Sequence, residues 1–263
     1  MNRAKKHFGQ HFLHDRGYLD RIVDAVRPQP DDMLVEIGPG EGALTMPLLA
    51  ALGRLTAIEV DADLIPRLYE RASGTGTLDL IQADILGVDL TALANGRRLR
   101  IVGNLPYYIS SPILFHCLAH AAVITDMHFM LQKEVVERMA ASPGNKTYGR
   151  LSVMLQLACR VTSLFTVPPG AFRPPPKVDS AVVRLVPRPE SERPLVDPVL
   201  LADIVRAAFA QRRKTLANGL KGRMDATAIS AAGIDPKARA ETLAPGDFVA
   251  LARVCEQSIP PAA

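Results

Sequence analysis

Met33-Leu34-Val35-Glu36-Ile37-Gly38-Pro39-Gly40-Glu41-Gly42 is the stretch that decides the fold. Met33 to Ile37 is an apolar run of strand length, the glycines end it, and Ala43 to Leu52 continues as a helical run. Strand, glycine loop and helix in that order open an α/β unit, in which the loop lets a ligand approach the backbone at the end of the strand. The same cadence repeats downstream. Strands are expected at Leu55 to Val60, Leu78 to Gln82, Leu99 to Gly103 and Met127 to Leu131, with helices around Asp63 to Ala72, Ser111 to His120 and Glu134 to Ala141. Strands alternating with helices predict an α/β fold, a doubly wound, mainly parallel Rossmann-like sheet.

Outward from this core, residues 1 to 14 mix bases and aromatics without periodicity and read as an arm that lies over a site or stays mobile. A covering helix follows from Asp15, with Tyr18, Leu19, Ile22, Val23 and Val26 at helical spacing until Pro28 and Pro30. Beyond the sheet, Arg150 to Ala158 reads as a helix, and Val161 to Val167 and Val178 to Val186 as strands returning onto the sheet like a hairpin. Residues 1–186 are therefore expected to form one domain. Residues 187–198, proline- and arginine-containing, read as a linker. Residues 199–263 read as a small C-terminal all-α domain with helices at Val199 to Phe209, Ala226 to Ala232, Lys237 to Thr242 and Asp247 to Val254, and the tail from Pro260 as disordered.

The total charge is modest, 31 basic against 27 acidic residues, but its distribution is uneven. Arg206, Arg212, Arg213, Lys214, Lys221 and Arg223 fall between Ile204 and Met224 without one acid, and Arg3, Lys5 and Lys6 open the chain. Such patches attract phosphate backbones by counterion release, so an RNA-binding role is expected for these six residues. Three widely spaced cysteines exclude a disulfide framework and leave no metal-ligand spacing, so no metal is expected. With no apolar h-region and no run of about 20 apolar residues, the expected setting is the cytoplasm, away from membranes.

The chemistry concentrates at strand ends. Glu59 ends the second strand, 21 residues beyond Gly38, where an acid accepts from ribose hydroxyls. Asp84, ending the third, can take an adenine amine while the backbone at Ile85 meets a ring nitrogen. Gly38 and Gly40 cradle the same ligand. Asn104-Leu105-Pro106-Tyr107 leaves the fourth strand. An amide, a turn-fixing proline and an aromatic at this spacing suit a planar substrate with an exocyclic amine. The ordered set of glycine loop, ribose acid, adenine acid and Asn-x-Pro-Tyr is that of S-adenosylmethionine-dependent adenine-N6 methyltransferases. An adenine amine is a poor nucleophile because its lone pair is delocalised into the ring. If the Asn104 side-chain oxygen and the Leu105 carbonyl accept its two hydrogens, the nitrogen pyramidalises and the lone pair is freed.

The chain resembles the rRNA adenine dimethyltransferases, and most nearly the bacterial group that dimethylates two adjacent adenosines near the 3′ end of 16S rRNA. The resemblance is carried by Phe8-Gly9-Gln10-His11-Phe12-Leu13, Glu36-Ile37-Gly38-Pro39-Gly40, Glu59-Val60-Asp61, Asn104-Leu105-Pro106-Tyr107-Tyr108-Ile109, Phe172-Arg173-Pro174-Pro175-Pro176-Lys177-Val178-Asp179-Ser180 and Phe209-Ala210-Gln211-Arg212-Arg213-Lys214-Thr215. It implies that His11 and Leu13 close over S-adenosylmethionine held by Gly38, Glu59 and Asp84. It implies also that Asn104 presents the amine while Tyr107 and Phe172 sandwich the base. The family usually carries asparagine where this chain has His11, which would make cofactor affinity pH-dependent. The implied partner is 16S rRNA within the small ribosomal subunit or its precursor, bound by a monomer. The alternatives are a large-subunit rRNA adenine-N6 methyltransferase of the antibiotic-resistance type, a DNA adenine methyltransferase, and a mainly non-catalytic ribosome-assembly factor. The Phe172 to Ser180 stretch argues against the first, and the lack of a separate target-recognition domain against the second.

Overall fold

A computed structural model describes residues 11–258. Arg3, Lys5, Lys6, the Phe8-Gly9-Gln10 part of the family motif and the tail from Pro260 lie outside the described residues. The chain divides into two compact units, residues 1–136 with 162–187, and residues 137–161 with 188–263.

The first unit carries a seven-stranded sheet. In chain order the elements up to the last strand of this sheet are β1 (Phe12–Leu13), α1 (Arg16–Val26), β2 (Met33–Ile37), α2 (Thr45–Leu52), β3 (Arg54–Glu59), α3 (Ile65–Ala72), β4 (Thr77–Gln82), α4 (Leu90–Ala94), β5 (Leu99–Asn104), α5 (Ser110–Ala119), β6 (Ile124–Gln132), α6 (Lys133–Ala140), α7 (Arg150–Ala158), which belongs to the second unit, β7 (Cys159–Val167), β8 (Phe172–Arg173) and β9 (Ser180–Pro187). The sheet order is β4-β3-β2-β5-β6-β9-β7. The run from β4 to β6 is parallel and β9 lies antiparallel to β6. The chain starts at β2 in the middle, winds outward to β4, then returns to β5 on the other side of β2. Ligands bind in open α/β sheets at such a reversal, beyond the carboxyl ends of the strands.

Local chemistry explains the boundaries. Asp15 caps α1 by accepting from the Tyr18 N–H at 3.3 Å, and Arg27, left-handed at φ 49°, closes it ahead of Pro28. Leu19, Ile22 and Val26 bury against Leu34 of β2, Val102 of β5 and Val182 of β9 in one apolar cluster. β5 must pass close to β2. A Cβ on Gly103 would stand 2.6 Å from the Ile37 carbonyl oxygen, so only glycine allows this approach.

The second unit differs from the division expected at residue 186. Tyr148 and Val153 belong to the same buried cluster as Leu201, Ile204, Val205, Leu220 and Phe248, so the segment around α7 goes with the C-terminal helices. Apolar periodicity marked α7 as a helix but could not say which core its buried face joins. These helices are α8 (Pro198–Ala210), α9 (Leu216–Gly219), α10 (Ala226–Ala231) and α11 (Pro245–Ser258). The buried Tyr148 hydroxyl donates to the Leu243 carbonyl at 2.8 Å. The expected linker is largely exposed but tied down by polar contacts. Glu192 in a 3-10 turn pairs with Arg160 at 2.8 Å and Arg188 at 3.1 Å, and Arg188 Nε donates to the Gln156 carbonyl. The helix expected over Lys237 to Thr242 is reduced to a 3-10 turn, Ala240–Thr242, after a turn in which Asp235 accepts from the Lys237 N–H.

Candidate active site

A cavity of about 250 Å³ lies at the carboxyl ends of β2, β3, β4 and β5. Its walls bring together His11, Leu13, Gly38, Gly40, Glu59, Asp84, Ile85, Asn104, Leu105, Pro106 and Tyr107, residues spread over nearly a hundred positions of chain. The glycine loop is built by backbone. The Gly38 N–H donates to the Ile58 carbonyl and that of Gly42 to the Pro39 carbonyl, both at 2.9 Å, with φ of 68°, 58° and 82° at Gly38, Gly40 and Gly42. A Cβ on Gly40 would come within 3.1 Å of the Phe12 ring. Glu59 accepts from the Gly40 N–H at 3.1 Å through one oxygen and from the Asp61 N–H at 2.8 Å through the other. Burial raises its pKa, against the pull of those two N–H groups. Asp84, which lines the cavity, caps the turn Ile85–Gly87 through Oδ1, accepting from the Leu86 N–H at 3.0 Å.

At the other end of the cavity, Asn104 Nδ2 donates to the His11 carbonyl at 3.0 Å, so Oδ1 is the atom left to accept from a substrate. The Leu105 N–H is tied to the Met130 carbonyl at 3.1 Å. The Tyr107 hydroxyl bonds Ser180 Oγ at 2.7 Å, and burial raises the phenol pKa. His11 Nδ1 donates to the Pro174 carbonyl at 2.8 Å, and its ring lies against that of Tyr107, centroids 5.9 Å apart at 28°.

Phe172 corrects the expected sandwich. It pairs with Leu13 through β8 and β1, is 2% exposed inside the apolar cluster, and does not line the cavity. Alternation along β8 turns Phe172 inward and Arg173 outward. The ring facing Tyr107 in this conformation is His11. The six basic positions are also altered by tertiary structure. Asp203 pairs with Arg206 and, at 2.5 Å, with Arg223, and these guanidiniums hold its carboxyl at about 2. Glu241 pairs with Arg212 at 3.2 Å. Arg213, Lys214 and Lys221 are exposed, and among the described residues no acid pairs with them. They lie in turns flanking α9 rather than on a helix.

Two groups that sequence reasoning did not single out form the floor. Glu36 and His128 are each 2% exposed, line the cavity, and stand in one row across β2, β5 and β6 through the pairs Glu36↔Val102 and Val102↔His128. Among the described residues Glu36 Oε2 and His128 Nε2 have no hydrogen-bond partner. Burial raises the Glu36 pKa to about 7, with Thr45 pulling it down and Glu59 pushing it up. Burial lowers that of His128 to about 4, against Asp126 and reinforced by Arg100 and Arg184. Arg100 fixes this floor to α1, binding Asp126 Oδ1 at 2.8 Å, Asp32 at 2.5 Å and the carbonyl of Val26. An acid inside an apolar strand was the available signal for Glu36, since such a residue is rarely buried without a purpose. A buried carboxyl with one oxygen unpartnered among the described residues, beside a glycine loop in which a Cβ on Gly40 would crowd Phe12, suits a ligand carrying cationic groups and a nucleoside, as S-adenosylmethionine does.

Residues 1–257 match the protein family described as ribosomal RNA adenine dimethylase. A protein of Xanthomonas campestris pv. campestris named ribosomal RNA small subunit methyltransferase A is 62% identical over 251 residues, covering 95% of this chain and 96% of that protein. Among solved structures, a dimethyladenosine transferase from Plasmodium falciparum superposes with a TM-score of 0.77 at 28% identity, over 92% of this chain and 96% of that one. The 23S rRNA methyltransferase ErmE gives 0.71 at 28% identity, over 94% and 100%. Among the described residues no helix is long and apolar enough to cross a membrane, and no group of three or more His, Cys, Asp or Glu side chains could hold a metal ion.

Proposed function

Because the chain belongs to the ribosomal RNA adenine dimethylase family, we propose that it transfers methyl groups from S-adenosylmethionine to the N6 amines of two adjacent adenosines near the 3′ end of 16S rRNA. It is an rRNA methyltransferase of the small-subunit kind, and its substrate in this reading is the small ribosomal subunit or its precursor, met in the cytoplasm by a monomer. The observation that carries the chemistry is the tie between Asn104 Nδ2 and the His11 carbonyl, which leaves Oδ1 as an acceptor next to Tyr107.

Bound, S-adenosylmethionine supplies an electrophilic methyl on a sulfonium. Glu59 and Asp84 would take its ribose and adenine, with the Ile85 backbone at a ring nitrogen, the Gly38 and Gly40 backbone admitting it closely and His11 and Leu13 covering it. The buried Glu36 carboxyl would lie on the side of its positively charged groups. The chain's own task is then the amine. Asn104 Oδ1 and the Leu105 carbonyl accept the two N6 hydrogens, which drives the nitrogen toward a pyramid and localises its lone pair. The methyl would leave sulfur as the amine nitrogen takes it, and the alkylated nitrogen, strongly acidic, would give its proton to solvent. No base is needed before transfer. Preorganised acceptors of this kind contribute roughly 2.7–4 kcal/mol per contact. Tyr107, held by Ser180, stacks on the target base, and the His11 ring must give way for it because 5.9 Å between centroids leaves no room for an inserted ring. Arg213, Lys214 and Lys221 take RNA phosphates, while Arg206, Arg212 and Arg223 contribute less because acids already hold them.

Transfer of labelled methyl to unmodified small subunits, large subunits and duplex DNA in parallel, with mapping of the modified nucleotide, tests the reading. Label is expected in small subunits alone, on N6 of two neighbouring adenosines. Label confined to large subunits or to DNA would overturn it.

A further inference from the structure

Of the exposed large apolar side chains, Val60 and Tyr108 are those that line the active-site cavity. Val60 follows Glu59, at the ribose end. Tyr108 follows Tyr107, at the end where the adenine amine is presented. The two consecutive tyrosines are held differently. Tyr107 is part-buried and its hydroxyl is fixed to Ser180 Oγ at 2.7 Å. Tyr108 is 62% exposed, and among the described residues its hydroxyl has no hydrogen-bond partner and its ring meets no other ring. It adds nothing to the core, yet it is carried on a firm support, the turn closed by the Ile109 N–H to the Pro106 carbonyl at 3.2 Å just before α5.

We propose that the Tyr108 ring is the stacking platform for the nucleotide that flanks the target adenosine. The inference rests on the functional reading above. Drawing a base into the cavity breaks its stacking with its neighbour, and the uncovered π-face of that neighbour is the chemistry an exposed, unpartnered tyrosine at the mouth matches. Stacking of this kind tolerates any base, so Tyr108 would hold whichever of the two adjacent adenosines is not being methylated. Because the flanking base is bound alike before and during transfer, the contribution belongs to substrate affinity rather than to the methyl-transfer step.

Steady-state kinetics of the full chain on unmethylated small subunits, with Tyr108→Ser and Tyr108→Phe, provide the test, alongside calorimetric binding of S-adenosylmethionine. Tyr108→Ser should raise KM for the subunit by roughly 5- to 150-fold, the range for loss of one stacked base, with kcat within about twofold and cofactor Kd unchanged. Tyr108→Phe, which keeps the ring, should restore KM. An unchanged KM in Tyr108→Ser, an equal loss in Tyr108→Phe, or a cofactor Kd that weakens in step with KM would each overturn the assignment, the last by placing the ring on the cofactor instead. Wild-type protein that leaves small subunits unmethylated would overturn the functional reading and the platform with it.

Discussion

Glu36→Gln should alter the pH dependence of stability in a defined direction. The carboxyl is enclosed by the protein with one oxygen unpartnered, and burial raises its pKa from 4.5 to about 7. In the unfolded chain it returns to its ordinary value. Between those two values the native state holds a proton that the unfolded state has released, so this group favours folding below about pH 4.5 and that advantage is lost as pH rises through 7. A difference of roughly 2.5 pK units corresponds to about 3 kcal/mol. Glutamine cannot ionise and lacks this slope. It keeps the shape and adds a pH-independent cost of about 1–3 kcal/mol for a buried amide group left without a partner. The variant should therefore be less stable than wild type near pH 5 and gain on it by up to about 3 kcal/mol toward pH 8. His128 titrates in both proteins alike and cancels in the difference. Urea unfolding of the cofactor-free chain across this range, followed by circular dichroism because there is no tryptophan, measures it. A wild-type-minus-variant difference that stays constant with pH would refute the reasoning.

Asn104→Ala should lower methyl transfer by at least about 100-fold while calorimetry shows cofactor still bound, because it removes an acceptor used in the transition state; near-normal turnover would remove the mechanism. Gly103→Ala should destabilise the first unit by about 1–3 kcal/mol in thermal unfolding, because the new methyl meets the Ile37 carbonyl at 2.6 Å and β5 must move. Replacing Arg213, Lys214 and Lys221 together by alanine should flatten the salt dependence of rRNA binding by up to about 0.7–0.9 in slope for each phosphate that is no longer neutralised. The same substitution at Arg206, Arg212 and Arg223 should flatten it less, and equal slopes for the two triple variants in filter binding would contradict their assigned difference.

The α/β class, the order of strands and helices and the motifs at strand ends were legible in the residues because each rests on a local pattern. Apolar runs of strand length broken by glycine, helical periodicity from Tyr18 to Val26, and an amide-proline-tyrosine turn all speak within a few residues. What the sequence could not state is which distant groups share a space. The family resemblance implied that Phe172 stacks on the base, but pairing of β8 with β1 turns it into the core, and His11 lies against Tyr107 instead. The stretch from Ile204 to Met224 holds no acid, but Asp203 directly precedes it and reaches Arg206 at i,i+3, while packing brings the same carboxylate to Arg223 and Glu241 to Arg212. Arg150 to Ala158 was readable as a helix, but the owner of its buried face was not, because periodicity records that a face is apolar and never what lies opposite. Glu36 and His128 make the same point at the cavity floor: they are 92 positions apart, and strand register sets them in one row, with Glu36 Oε2 and His128 Nε2 unpaired among the described residues. Local periodicity and turn chemistry determine elements, while long-range register and packing decide charge pairing, burial and which side chains meet a ligand.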